Sequence, residues 1–231
     1  MRDRAFSKVS NLFDYHICLS DNIYDCLKSN LDQKNIIYLQ NYIEPSIASS
    51  IKKSSNQILF YISGYKTKFR HNTLKKINKK NFNNFHTDDK FHINKYQFNI
   101  NKNTRFNLVY SEESKIEKIC KFYKEIFDIN IEKIKLYISQ RKDWPYLSPM
   151  RIIRSFENSS IPVNLGKYSD TNYHKLCLNF KSIDEMIENY DFHKENFIKE
   201  FPEILVEFNR TSDSLFMDFY NKLFDKKSKN F

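Results

Sequence analysis

A chain of 231 residues, 40% hydrophobic and 16% aromatic, can bury one large core or one domain plus part of a second, which excludes wholesale disorder. The net charge of +10 favours anionic partners such as nucleic acid, nucleotide phosphates or an acidic membrane surface, although lysines scattered over a solvated face account for the same number. No run approaches the roughly 20 apolar residues of a membrane span and the N-terminus lacks an apolar leader core, so a cytoplasmic protein is expected.

Met1–Asn11 is basic and polar with little periodicity. Tyr15–Leu19 (YHICL) reads as a buried strand, Ser20 as the cap of a helix through Leu31, and Ile36–Leu39 as the next strand, ended by Pro45. Strand, helix, strand at this spacing predicts a βαβ unit. His16 lies inside the first apolar run and reads as a core residue. Ser46–Asn56, rich in Ser and Lys, reads as a linker or short helix. Gln57–Ser63 (QILFYIS) is a strong buried strand, followed by Gly64, then Tyr65, Lys66, Lys68 and Arg70, and a basic helix to about Lys79. A glycine at a strand's carboxyl end lets the backbone turn close to a ligand, although a plain turn uses it equally well.

Asn81–Asn103 is the least legible region. Its HTDDKFH run places His86, Asp88, Asp89 and His92 together, but the spacing fits no common zinc pattern and a solvated loop is the expected reading, with no metal site. Tyr96–Ile100 and Arg105–Tyr110 look like short strands. Ser111 can cap the clearest helix, Glu112–Phe127, whose apolar stripe is Ile116, Ile119, Cys120, Tyr123, Ile126 and Phe127.

The central stretch runs from Tyr137 to Leu165. Leu136–Ser139 is a short apolar run and Gln140–Leu147 a loop carrying Arg141, Lys142, Trp144 and Tyr146. Trp144, the single tryptophan, can stack on a base or sugar ring or pack in the core. Ser148 sits at an N-cap position with Pro149 at the first helical position. Ile152, Ile153 and Phe156 share one side of the following helix; Arg151, Arg154, Ser155 and Asn158 share the other. Ile161-Pro162-Val163 begins another buried strand. A helix N-terminus after a parallel strand suits a phosphate, and the two arginines add charge-assisted donors, unless they are merely exposed helix arginines. Gly166 follows this strand as Gly64 follows the earlier one. Leu176–Phe180 is a further strand, and Ser182 caps a helix through Asn189. Pro202–Phe208 and Ser212–Phe224 are helical, the latter with a stripe of Phe216, Phe219, Tyr220 and Leu223, before a basic tail at Lys226–Phe231. Cys18, Cys26, Cys120 and Cys177 form no C-x-x-C pair and read as reduced thiols. Walker A, H-E-x-x-H and G-x-S-x-G motifs are absent.

Arg151-x-x-x-Ser155-Phe156-x-x-Ser159-x-Ile161-Pro162-Val163 resembles the R-x-x-x-A-L-x-x-G-x-I-P-V segment in the C-terminal domain of exostosin-like and related GT-B glycosyltransferases. Two departures stand out: Ser159 occupies the position where the family usually has glycine, and the pair of glutamates seven residues apart that marks retaining GT-B enzymes is missing. The strand–Gly64–basic helix order is similar to the opening of the family's donor domain. The βαβ unit before Pro45 resembles the last one of its N-terminal domain, and the terminal helices resemble those that pack back across the domains.

The resemblance implies an α/β protein: a Rossmann-like parallel sheet with helices on both faces, the C-terminal half of a GT-B enzyme plus a remnant of the N-terminal domain. Residues 1–55 would be the remnant and linker, 56–200 the nucleotide-sugar domain, and 201–231 the C-terminal helices and tail. It implies a nucleotide diphosphate sugar as donor substrate, with no other cofactor. The donor would be held by Gly64, Tyr65, Lys66, Arg70, Arg141, Trp144, Ser148, Arg151, Arg154 and Ser155. The acceptor would be a glycan, lipid or protein, deprotonated by a base from an acceptor domain or partner chain that these residues do not supply. The alternative from composition is a basic nucleic-acid-binding or scaffold protein without catalysis, with salt-dependent affinity for RNA or DNA.

Overall fold

A computed structural model describes residues 13, 15–30, 36–47, 51, 55, 57–64, 67–75, 82–86, 105–110, 113–138, 147–165 and 171–228. They form two compact units, one of 1–45 with 203–231 and a larger one of 46–202.

In the smaller unit, β1 (His16–Cys18) and β2 (Ile36–Tyr38) pair in parallel around α1 (Asp21–Asn30), as the βαβ spacing predicts. The chain after β2 is tied to the middle of the last helix, α6 (Ile183–Ser228), by reciprocal amide bonds. Asn209 Nδ2 donates to Ile43 O at 2.7 Å, the Ile43 amide donates to Asn209 Oδ1 at 3.0 Å, and Gln40 Nε2 donates to Phe208 O at 2.8 Å. All these polar atoms are buried, so the bonds replace water that the segment would otherwise need.

The larger unit carries a six-stranded sheet, all of whose pairings are parallel, in the order β4-β5-β3-β6-β7-β8. The strands are β3 (Gln57–Ile62), β4 (Phe82–His86), β5 (Phe106–Tyr110), β6 (Ile131–Ile138), β7 (Ile161–Leu165) and β8 (Leu178–Phe180). Interleaved are α2 (Lys68–Lys75), α3 (Glu113–Phe127), α4 (Pro149–Glu157), α5 (Asn172–Lys175) and the part of α6 up to Pro202. The near-continuous apolar runs of β3 and β7 are what a parallel sheet covered on both faces requires. Leu59 and Tyr61 pack under Ile116, Ile119 and Tyr123 of α3, whereas Phe60, pointing to the opposite face, meets Tyr190 of α6 at 5.7 Å between ring centroids. Helices therefore cover both faces. This is a Rossmann-like α/β architecture. Its strand order departs from the usual doubly wound one, because β5 lies between β3 and β4 instead of outside them.

Several expectations are corrected. The strand before the central loop begins at Ile131, five residues earlier than its apolar core suggests, because Glu132, Lys133 and Lys135 find places within the sheet. A strand, β4, lies in the illegible Asn-rich region. Ile126 and Phe127 are exposed, since the α3 stripe leaves the sheet after Tyr123. The C-terminal segments form one helix, not three. Phe197 and Phe201 before Pro202 and Leu205 and Phe208 after it are each buried within their own unit, and that burial outweighs the roughly 3 kcal/mol penalty of an interior proline. The Phe216, Tyr220 stripe is exposed. No helix among the described residues is long and apolar enough to cross a membrane.

Candidate functional site

The chain leaves β3 toward one side of the sheet, through α2 to β4, and leaves β6 toward the other, through α4 to β7. In open α/β sheets, connections that diverge in this way mark the place, outside the carboxyl ends of the two central strands, where ligands bind. Gly64 stands at this edge of β3 with φ +109, a conformation that an L side chain rarely adopts.

Two guanidinium groups converge on Gly64. A Cβ placed there would lie 3.3 Å from Arg70 Nη1 and 3.5 Å from Arg151 Nη2. Arg70 arrives from α2, whose first turn is capped by Thr67: the Arg70 amide donates to Thr67 Oγ1 at 3.3 Å. Arg70 is buried, and its Nε donates to the carbonyl of Ile138, the last residue of β6, at 2.8 Å. Tyr110, ending β5, donates its hydroxyl to Gly64 O at 2.6 Å and also bonds the Arg70 side chain. Three strand ends are thereby stitched together around one arginine. Burial lowers the pKa of Arg70, the Tyr110 bond opposes the shift, and the like charge of Arg151 adds to it. Arg151 is half-buried, and no carboxylate among the described residues forms an ion pair with it. Guanidinium groups of like sign held this close repel one another, and an anion between them would relieve that repulsion.

The seat of Arg151 is built from below. Tyr137 of β6 donates its hydroxyl to Arg151 O, and Ser155 Oγ donates to the same carbonyl at 2.9 Å. Ser155 is fully buried. The expectation that it shares the polar side of α4 with Arg154 is corrected: its hydroxyl joins helix to strand, facing the sheet with Ile152 and Phe156. Arg154 is exposed. Ser148 is the N-cap residue with extended backbone and Pro149 follows it, as expected, but its side chain makes no cap bond.

The end of α4 gives the Ser159 departure a physical meaning. Ser159 has φ +50, in the left-handed region that glycine favours. Its amide donates to Phe156 O and that of Ser160 to Ser155 O, both at 2.8 Å, the paired bonds of a Schellman cap. The position keeps glycine's conformation without its residue.

No protein-family model, curated protein or solved structure matches this chain. The functional reading therefore rests on the site itself. Of the ten sequence-derived donor-site residues, Gly64, Arg70 and Arg151 come together, and Ser148, Arg154 and Ser155 sit on the helix that carries Arg151. Tyr65, Lys66, Arg141 and Trp144 lie outside the described residues, as do Gly166, the strand expected at Tyr96–Ile100, and Asp88, Asp89 and His92 of the HTDDKFH run. Among the described residues no group of three or more metal-ligating side chains occurs. Sequence reasoning missed Tyr110, Tyr137 and Lys135. The available signal was Lys135, a charge set between Ile134 and Leu136 in a buried strand, where it requires a partner.

Proposed function

We propose that the carboxyl edge of the sheet between β3 and β6 binds the diphosphate of a nucleotide diphosphate sugar, and that the chain is a glycosyltransferase or the donor-binding part of one. The observation that carries this is the convergence of Arg70 and Arg151 on Gly64 at the point where the strand connections diverge. Sugar transfer leaves negative charge on the departing diphosphate. Preorganised guanidinium groups aimed at that charge lower the barrier without reorganising. Arg70 is fixed by Ile138 O and Tyr110, so it is the rigid member, while the half-buried Arg151 closes on the ligand. The N-terminal end of α4 adds its dipole to the same side. The Arg151-to-Val163 segment supports the reading through the left-handed Ser159 at the family's glycine position. The acceptor and its base belong to parts not assigned to these residues.

A thermal-shift panel of UDP, GDP, CDP, their common sugar conjugates and a short RNA tests the proposal. Stabilisation by one nucleoside diphosphate, abolished in Arg151→Ala, is the expected result. A ligand at about 100 times its Kd adds about 2.7 kcal/mol, and the size of the shift bounds the affinity. Stabilisation by RNA alone, fading with salt, would sink the transferase and leave the nucleic-acid binder.

A further inference from the structure

Beyond Pro202 the last helix, α6, carries two apolar stripes side by side. The first holds it to its own unit: Leu205, Phe208 and Ser212 are buried, and Gln40 Nε2 donates to Ser212 Oγ at 3.1 Å. Leu215, Phe219 and Leu223 continue that line half-buried. The second stripe is Phe216, Met217, Tyr220 and Phe224, which are 55%, 53%, 46% and 48% exposed. The Tyr220 and Phe224 rings lie 4.3 Å apart between centroids. A surface helix needs one apolar face for its own core. A second one, aromatic and continuous along the helix, marks a contact surface.

The two ends of this stripe say what fits it. Exposed Asp213 stands seven residues before Tyr220, and Lys227 follows seven residues after it. Positions 213, 217, 220, 224 and 227 alternate four and three residues apart, the spacing of a seam between two helices. Reversing the helix direction exchanges acid and base about Tyr220. A second copy laid antiparallel, with Tyr220 on the twofold axis, brings Asp213 of each copy beside position 227 of the other and Phe216 of each beside Phe224 of the other. Laid parallel, it sets acid against acid and base against base. The surface is thus complementary to itself in one orientation, as a twofold contact requires. The chain's net charge of +10 opposes association in general, but residues 213–227 contain three aspartates and three lysines and are neutral as a segment. An anionic lipid surface fits less well, because Asp213 continues the stripe and Asp218 is exposed where membrane-surface helices carry Lys and Arg.

We propose that the C-terminal part of α6 is a dimerisation surface, on which a second copy of this chain packs its own Phe216–Phe224 stripe in antiparallel register. Counting about 100 Å² for each half-exposed ring and a similar area for Met217, two copies bring together roughly 800 Å² of apolar surface. With its polar rim the contact approaches the ~1,000 Å² of a specific but weak interface, so the dimer should form reversibly in the micromolar range. The surface is separate from the anion site and does not depend on it.

Sedimentation equilibrium of the full chain, from about 1 to about 200 µM at about 0.15 M salt, tests the proposal. The wild type should show a monomer–dimer equilibrium. Tyr220→Glu, which sets like charges on the axis, should stay monomeric. Asp213→Lys and Lys227→Asp should each weaken self-association about tenfold, because each places like charges at both ends of the contact. An equimolar mixture of these two variants should recover wild-type affinity, since the mixed pair has opposite charges at both ends. Such recovery cannot come from a misfolded chain, so the mixture stays decisive even if one variant is damaged. A wild type that is monomeric at every concentration would overturn the proposal, as would variants that associate no better mixed than alone, or a Tyr220→Glu chain that dimerises like the wild type. A monomeric wild type that binds vesicles of phosphatidylcholine with about 30% phosphatidylserine would overturn it in favour of a lipid surface.

Discussion

Replacing Ser159 with glycine should stabilise the protein. The residue is exposed and its backbone sits at φ +50, closing the Schellman cap of α4. A side chain held in the left-handed region costs about 1–2 kcal/mol. Glycine removes that cost but gives the unfolded chain more freedom, worth about 0.4–1 kcal/mol in the opposite direction. The exposed hydroxyl of Ser159 offers little to offset either effect. The net expectation is a gain on the order of 0.5–1 kcal/mol. Equilibrium urea unfolding should show it as a higher midpoint at unchanged slope. Ser159→Ala retains the strained backbone and should be near neutral, while Ser159→Val, branched at Cβ, should destabilise. A Ser159→Gly variant no more stable than wild type, or a neutral Ser159→Val, would refute the left-handed cap and weaken the likeness to the glycine-bearing family segment.

Gly64→Ala meets a backbone at φ +109 and two arginine nitrogens within 3.5 Å; it should cost about 1–3 kcal/mol in urea unfolding and abolish the Arg151-dependent anion response. Glu132→Ala leaves the nearly buried Lys194 ammonium without its carboxylate and removes the acceptor of the Tyr190 hydroxyl; a loss of about 3–5 kcal/mol is expected, largely recovered when Lys194→Met is added. The Lys135 pKa, lowered from 10.5 to about 8 in the folded chain, means that the unfolded chain holds more protons between those values. Wild-type stability should therefore rise relative to Lys135→Met as pH climbs from about 8 to about 10.5, with a ceiling on the order of 3 kcal/mol; a pH-independent difference between the two would contradict the shift.

The strands that are apolar runs were the legible part of the fold. QILFYI and IPVNL could be read directly because a parallel sheet buries both faces of its inner strands. FNNFH could not, since its middle asparagines carry no strand signal and its pairing with β5 is a long-range decision. Pro202 misled because local propensity is weaker than the buried stripe on either side of it. At the site, Gly64, Arg70 and Arg151 were legible as residue types in the right order. Ser155 was placed on the wrong side of α4, because a serine that bonds its own helix carbonyl can face a sheet as readily as water. Tyr110 was invisible as a site residue: nothing in a strand-ending tyrosine announces that its hydroxyl will reach the carbonyl of Gly64 in another strand's turn.

The position of β5 between β3 and β4 imposes an order of events on a ribosome. β4 leaves the tunnel first, yet the strand it pairs with begins about 20 residues later. At roughly 5–20 residues per second, the unpaired strand waits about one to four seconds for its neighbour. During that interval β3 has no strand beside it that it will keep, and β4 can dock against it in the place that β5 must take. Correct assembly then requires such a pairing to come apart before β5 inserts, which makes synthesis speed across residues 87–105 a determinant of yield.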